Sequence, residues 1–175
     1  AGGAGLVAAL AVGWRTRGRA DVDLVINGTL GGLVAITAGA HAVSTLSAVV
    51  IGAVGGFAML GTDALLVRFR IDDAVGAIPA HLGAGIWGTL AVALFGRADL
   101  LGTGLAFWPQ LQVQVLGILA CFVWTFGVTY LILRMIDRAS EFRVTPEFEQ
   151  IGLNVSEHGA TTDLLDLFMV MDEQS

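Results

Sequence analysis

The sequence predicts an all-α protein that crosses a membrane several times. Hydrophobic residues make up 55% of the chain and charged residues only 14%, whereas a typical soluble domain has about 25% charged residues. The apolar residues form long runs separated by short polar segments, and the mean hydropathy is +0.79. Such a chain must bury most of its length in lipid. Its charges form no stripe of the kind that binds nucleic acid, so we expect no nucleic-acid partner.

Five apolar runs are predicted to be transmembrane helices. The first is shorter than the ~20 residues needed to span a hydrocarbon core of about 30 Å, so we interpret it as the end of a helix that begins before Ala1. Residues 1–138 are then the transmembrane part, and residues 139–175 are a cytosolic tail. The five predicted helices cover residues 1–14, 24–40, 46–67, 77–95 and 110–136.

The second and third predicted helices each carry two glycines four residues apart. Gly28 and Gly32 lie in the second helix, and Gly52 and Gly56 lie in the third. Small residues at this spacing let membrane helices approach closely. In a chain with 24 glycines the pattern also arises easily by chance, so it is weak evidence for a helix contact.

The fourth predicted helix contains a candidate functional residue. Pro79 falls in its first turn, where a missing backbone N–H costs little. His81 lies in the apolar run, and a titratable side chain at membrane depth indicates a functional site by default. The alternative is a histidine that bonds to a neighbouring helix as a packing element. The residues alone leave both interpretations open.

The fifth predicted helix carries Trp124 and Tyr130, which we interpret as packing residues or interfacial anchors. The single cysteine, Cys121, lies in the same run, so no intrachain disulfide can form. His41 ends the second predicted helix, where an interfacial role is expected. No pair of histidines has the spacing of a metal site, and no cofactor is expected.

The arginines predict the orientation in the membrane. With five helices, alternate loops lie on alternate sides, and one of the two sides holds only Arg97. Because cytoplasmic loops carry the excess of Lys and Arg, this bias predicts a cytoplasmic C-terminus, and we expect a bacterial inner membrane. The arginines of the other side are Arg15, Arg17, Arg19, Arg68, Arg70, Arg134, Arg138 and Arg143.

The tail is polar and has one predicted helix, at about residues 161–173. Thr161 or Thr162 can cap this helix, and Asp163 is placed favourably for its dipole. Its apolar side would consist of Leu164, Phe168 and Met171. We therefore expect a short amphipathic helix that docks on its own protein or on a neighbour.

Three segments carry a family resemblance. They are residues 27–39 (NGTLGGLVAITAG), 71–95 (IDDAVGAIPAHLGAGIWGTLAVALF) and 142–159 (FRVTPEFEQIGLNVSEHG). They resemble, in order, the eighth helix, the tenth helix and the cytosolic signature of the ammonium transporter family, known as Amt/MEP and related to the Rh proteins. The resemblance extends over about residues 1–160. It implies the last five transmembrane helices of the eleven-helix ammonium transporter fold.

The resemblance implies transport of ammonium or ammonia by a homotrimer in which each subunit has a narrow hydrophobic pore. By position, His81 matches one of two pore histidines that share a hydrogen bond, and its partner belongs to a helix upstream. Moving a bare ammonium ion through an apolar channel is costly. Separating the proton from neutral ammonia costs less, and imidazoles can relay that proton because their pKa lies near the working pH.

The resemblance also gives roles to the acidic pair and to the tail. Asp72 and Asp73 either contact the tail and set the cytoplasmic end of the pore, or only cap the next helix from a solvated loop. Asn154 stands where the tail signature has Asp, which weakens any claim of a salt bridge there. A PII-type nitrogen regulator is a possible partner of the tail. The residues that match the regulatory signature are Gly152, Leu153, His158 and Gly159.

The segment after Gly159 keeps a second function open. It resembles the connecting helix of family members fused to a signalling domain, such as a histidine kinase or a diguanylate cyclase. The protein would then be an ammonium-sensing receptor. A third alternative is an unrelated multi-pass protein in which His81 is structural. An enzyme is not predicted, because the sequence has no nucleophile paired with a base and no phosphate-binding loop.

Overall fold

The structure, a computed structural model, describes residues 1–73, 75–140 and 144–152. These residues form helices and no strand, which confirms the predicted all-α class. One short segment, Ile78–Gly83, is a π-helix that continues directly into α4, and we call it the π segment. The α-helices are α1 (Gly2–Arg17), α2 (Val22–Thr37), α3 (Thr45–Phe69), α4 (Ala84–Phe95), α5 (Ala98–Leu101), α6 (Phe107–Ala139) and α7 (Pro146–Ile151).

Three of the described helical stretches are long and apolar enough to cross a membrane. They are Thr45–Phe69, Ile78–Phe95 and Phe107–Ala139, and the shorter Val22–Thr37 is also apolar. When the π segment is counted with α4, the five long helical stretches begin and end within three residues of the predicted bounds. The chain divides into two compact units, Ala1–Val123 and Trp124–Ser175.

Local signals explain where the first three helices begin and end. α1 ends at Gly18, which adopts the left-handed conformation (φ 67°) and donates its N–H to the Trp14 carbonyl. The Asp21 carboxylate accepts the Leu24 N–H and so begins α2 at Val22. The Ser44 hydroxyl accepts the Ser47 N–H at 3.1 Å and begins α3. These caps satisfy backbone groups that a helix end leaves unpaired.

Helices α1, α2 and α3 pack at very short distances because glycines face each other. A Cβ atom at Gly32 would lie 2.7 Å from the Ala1 carbonyl oxygen, and one at Gly56 would lie 2.8 Å from the Gly5 carbonyl oxygen. Gly28 and Gly52 also face α1. The four glycines singled out in the sequence therefore lie at helix contacts, where a side chain would force the backbones apart.

Helix α4 packs against α2 and α3 through an apolar cluster. The buried residues of this cluster are Ala35, Ile51, Ala84 and Ala91, with Trp87 and Phe95 packed against them. The Trp87 indole N–H donates to the Ile51 backbone carbonyl at 2.9 Å. This bond joins α4 to the N-terminal part of α3 in an otherwise apolar contact.

Helix α6 is long and exposes most of its surface. Near its start Gln110 is 5% exposed, and its Oε1 accepts the Thr103 hydroxyl at 2.8 Å. Trp124 and Tyr130 are exposed, as expected for anchors, and the Tyr130 ring stacks on Phe126 with centroids 6.2 Å apart.

In the tail, the described residues form the short helix α7. The Thr145 hydroxyl accepts the Phe148 N–H at its start, and Gly152 follows its end with φ 96°. The predicted helix at residues 161–173 lies outside the described residues, as do Leu153, His158 and Gly159.

Candidate functional site

His81 lies in the π segment, and its side chain is exposed. The neighbouring Pro79 and Ala80 are both buried, each less than 2% exposed. Ala80 packs with Ala9, Leu24 and Met59. The side of the segment that packs on the other helices is therefore occupied by small buried residues. His81 is left on a surface that the described helices do not cover.

The π segment widens the helix by one residue per turn where His81 lies. At the end of the segment, the Ala84 backbone N–H donates to the backbone carbonyls of both His81 and Pro79. π-Helical turns are rare, and they occur often at functional sites. A single extra residue changes which side chains share a face, so this turn determines where the imidazole points relative to α4.

A close contact with α3 fixes the C-terminal end of the π segment. A Cβ atom at Gly83 would lie 2.9 Å from the Thr62 Cβ and 3.1 Å from the Ala58 carbonyl oxygen. The Thr62 hydroxyl donates to that same carbonyl at 2.9 Å. Only glycine allows this approach, so α3 holds the segment two residues after His81.

Asp73 caps the start of the same helix. Its carboxylate accepts the Ala77 N–H at 3.0 Å and the Ile78 N–H at 2.7 Å. Burial raises the pKa of Asp73, but donation from the N–H groups of Ile78 and Ala77 outweighs it, so the pKa lies below its ordinary value. Asp73 thus fits the interpretation in which the acidic pair caps the next helix, whereas the Asp72 side chain is exposed. Contact of either residue with the tail stays a prediction.

A cavity of about 400 Å³ opens between α2, α3 and the start of the π segment. Three carboxylates line it, from Asp23, Asp63 and Asp73, together with the Asn27 amide. Sequence reasoning missed Asp63, although a carboxylate inside the predicted span 46–67 is the kind of signal that marks a site in a membrane helix. The other lining residues are Leu24, Ile26, Met59, Val75, Gly76 and Pro79.

The structure also describes two further candidates, His41 and Gly152. His41 is exposed in the turn after α2, where the Arg97 backbone N–H donates to the Ala42 carbonyl at 2.8 Å. Gly152 follows α7 in the tail. Among the described residues, no group of three His, Cys, Asp or Glu side chains could hold a metal ion.

Comparison with known proteins supports the resemblance found in the sequence. The profile of the Ammonium Transporter Family matches residues 1–163. A putative ammonium transporter of Synechocystis is 48% identical over 155 residues, which cover 89% of this chain and 29% of the relative. Ammonium transporter Amt2 of Archaeoglobus fulgidus is 36% identical over 170 residues, 91% of this chain and 36% of the relative. The chain thus spans about a third of the length of these relatives.

Solved structures show the same similarity. A protein described as a sensor Amt protein superposes with a TM-score of 0.81 at 37% identity, over 89% of this chain and 39% of the other. Mep2 of Candida albicans superposes with a TM-score of 0.71 at 27% identity, over 78% of this chain and 32% of the other.

Proposed function

The chain belongs to the ammonium transporter family, and on this premise we propose that the protein moves ammonium across a membrane. Ammonium gives up its proton, and neutral ammonia passes through an apolar pore. The observation that carries the proposal is His81, a titratable side chain exposed in a helical stretch that is apolar enough to cross a membrane. We assign His81 to the proton relay.

The cost of desolvation favours this mechanism over passage of the intact ion. An isolated ammonium group moved into an apolar medium loses solvation worth several kcal/mol even after the protein relaxes. Ammonia carries no net charge and makes few hydrogen bonds, so it crosses at much lower cost. The proton needs an acceptor, and an imidazole titrates near neutral pH. A second histidine, which we place on a helix outside these 175 residues, would share the proton.

Replacement of His81 tests this assignment. In the full-length gene product, His81→Ala should abolish the ammonium-evoked current or change its selectivity among monovalent cations, because the relay loses one of its two imidazoles. The measurement is the current in proteoliposomes containing the purified protein. His41→Ala is the matched control, since His41 is also exposed but lies after α2, and it should leave the current unchanged. Unchanged current and selectivity in His81→Ala would contradict the assignment.

A receptor that senses ammonium is the second candidate. It is favoured by one observation, the superposition on a protein described as a sensor Amt protein. A reading frame that continues from Ser175 into a kinase or cyclase domain would support sensing, with residues 161–175 as the connection. A stop codon soon after Ser175 would favour transport alone.

We further propose the assembly and location that the family premise suggests. These are a homotrimer in a bacterial inner membrane, with the C-terminal tail in the cytoplasm. Support for the cytoplasmic tail comes from the uneven distribution of arginines between the two sides, whereas the trimer and the kind of membrane rest on the family premise alone. Protease added to intact spheroplasts should leave the tail uncut, and mass measurement of the purified protein in detergent should give three subunits. The tail could then meet a PII-type regulator through Gly152, Leu153, His158 and Gly159.

A further inference from the structure

Thr89 is a polar side chain in the same apolar helical stretch as His81. In that stretch, Ile78–Phe95, the side chains that contain nitrogen or oxygen are His81, Trp87 and Thr89. The Trp87 indole N–H donates to the Ile51 carbonyl and so serves the packing of α4 on α3. Polar side chains are rare inside membrane spans and often mark the path of a substrate. The hydroxyl of Thr89 therefore requires an explanation, as the imidazole of His81 does.

Thr89 lies on the same side of the helix as His81. Two steps of four residues separate them, with Gly85 in the middle, and four residues make close to one turn both in an α-helix and in the wider π segment. Helix α3 contacts a different side, through Gly83 and Trp87. The imidazole, Gly85 and the hydroxyl thus follow one line, roughly 10 Å long. We call these three residues the polar strip.

Gly85 leaves the polar strip open between its two polar side chains. Gly88 is required by packing, because a Cβ atom there would lie 2.7 Å from the Ala35 Cα. A Cβ atom at Gly85 would meet one atom of another described helix within 4 Å, the Val34 Cγ1, and at 3.8 Å this is an ordinary contact. Packing on the described helices therefore does not require glycine at position 85. Its missing side chain leaves room for a small molecule along the helix.

The Thr89 hydroxyl can only accept a hydrogen bond from a ligand. It donates its single proton to the Gly85 backbone carbonyl at 2.9 Å, and the oxygen keeps its lone pairs. Among the described residues, no donor is bonded to this oxygen. Because Thr89 is half-buried, part of its side chain still faces the surface that the described helices leave uncovered. A ligand bound there must supply an N–H or O–H group.

We propose that Thr89 is a specificity-determining residue whose oxygen accepts an N–H hydrogen bond from ammonium at one end of the polar strip. This inference rests on the transport function proposed above and adds a second contact to it. Ammonium offers N–H donors and no acceptor, so it matches a hydroxyl that has already donated its proton. In an apolar span each N–H without an acceptor is costly. The Thr89 oxygen lowers this cost for the ion, and His81 handles the proton.

The test measures the dissociation constant of ammonium chloride by calorimetry on the purified full-length gene product. Thr89→Val keeps the shape of the side chain but lacks the oxygen. Its dissociation constant should rise roughly tenfold, the effect of one lost hydrogen bond to a charged group. The maximal ammonium-evoked current should stay the same, because His81 is intact and the lost contact contributes to binding rather than to proton transfer.

Two further substitutions at position 89 keep the test decisive. Thr89→Ser retains the oxygen and should retain the dissociation constant of the unaltered protein. Thr89→Ala lacks the oxygen without adding bulk, so it should show the same loss as Thr89→Val even if the valine does not fit. The midpoint of thermal unfolding in detergent identifies any variant that does not fold.

Thr16→Val is the matched control. The Thr16 hydroxyl also donates to the carbonyl four residues before it, that of Val12, at 2.8 Å, but Thr16 lies near the end of α1 and outside the polar strip. This variant should bind ammonium normally. The proposal is overturned if folded Thr89→Val or Thr89→Ala binds ammonium as tightly as the unaltered protein, or if Thr89→Ser or Thr16→Val loses as much affinity as they do.

The same measurements separate this inference from the transport proposal. If the unaltered protein binds ammonium but carries no ammonium-evoked current, transport is contradicted, and the calorimetry still decides whether Thr89 contacts the ion. If the current depends on His81 but the affinity does not depend on the Thr89 oxygen, only the role of Thr89 is contradicted. If the unaltered protein does not bind ammonium, both proposals are overturned.

Discussion

At the scale of single residues, the negative charge of Asp73 stabilises the start of the helix that carries His81. Its carboxylate accepts two backbone N–H groups, and its pKa in the folded protein is lowered. A lowered pKa means that the ionised form stabilises the fold. This stabilisation is present above the unfolded pKa of about 4 and is lost as pH falls through the folded pKa.

Asp73→Ala should therefore lower the stability of the full-length protein in detergent at pH 7 by about 1 kcal/mol, as for other lost helix caps. The difference from the unaltered protein should shrink as pH falls below about 4 and through the lower pKa of the folded state, where Asp73 loses its charge. Thermal unfolding at a series of pH values measures both effects. Asp72→Ala is the control, because Asp72 is exposed and no described residue bonds to its side chain. Equal destabilisation by both variants would show that Asp73 is not the cap.

Gly83 is the second residue whose size the structure explains. A Cβ atom at this position would overlap Thr62 on α3, so Gly83→Ala should destabilise the protein by about 1–3 kcal/mol, the cost of an overpacked contact. Adding Thr62→Gly should recover part of the loss, since it removes the overlapping side chain. Gly61→Ala is the control, since nothing lies within 4 Å of its Cβ position. If Gly83→Ala left the stability unchanged, α3 would not hold the π segment.

At the scale of elements, the bond from Trp87 to the Ile51 carbonyl fixes α4 against α3. Trp87→Phe keeps an aromatic ring in the cluster but loses the N–H donor. We expect a loss of about 1 kcal/mol, the net worth of one hydrogen bond, measured as a lower midpoint of thermal unfolding. Trp124→Phe should have little effect, because Trp124 is 73% exposed. A larger effect of Trp124→Phe than of Trp87→Phe would contradict this account.

The elements also show what the sequence could and could not predict. Long apolar runs determine the helices, and the caps at Asp21 and Ser44 are visible as residue types that favour helix starts. The π segment cannot be recognised in the sequence, because a single wider turn does not change the pattern of polar and apolar residues in a run that is almost entirely apolar. Pro79 marks the first turn, but it does not distinguish a π-helix from an α-helix. The direction of His81 therefore required the structure.

At the scale of the whole molecule, the family could be identified from three segments, and the comparisons confirm it. The acidic cavity could not be predicted, because Asp23 is distant in the sequence from Asp63 and Asp73, and the three carboxylates line one cavity only when α2, α3 and the π segment pack. The partner of His81 stays a prediction. So do the roles of His158 and Gly159, which lie outside the described residues.

Helix α6 has a consequence for the membrane in which the protein works. Its 33 residues extend over about 50 Å at 1.5 Å per residue, against a hydrocarbon core of about 30 Å. A helix this long fits bilayers of different thickness by changing its tilt. Thicker lipid would draw more of its polar C-terminal turns towards the headgroups, and thinner lipid would increase its tilt, so α6 is the described helix best able to absorb hydrophobic mismatch.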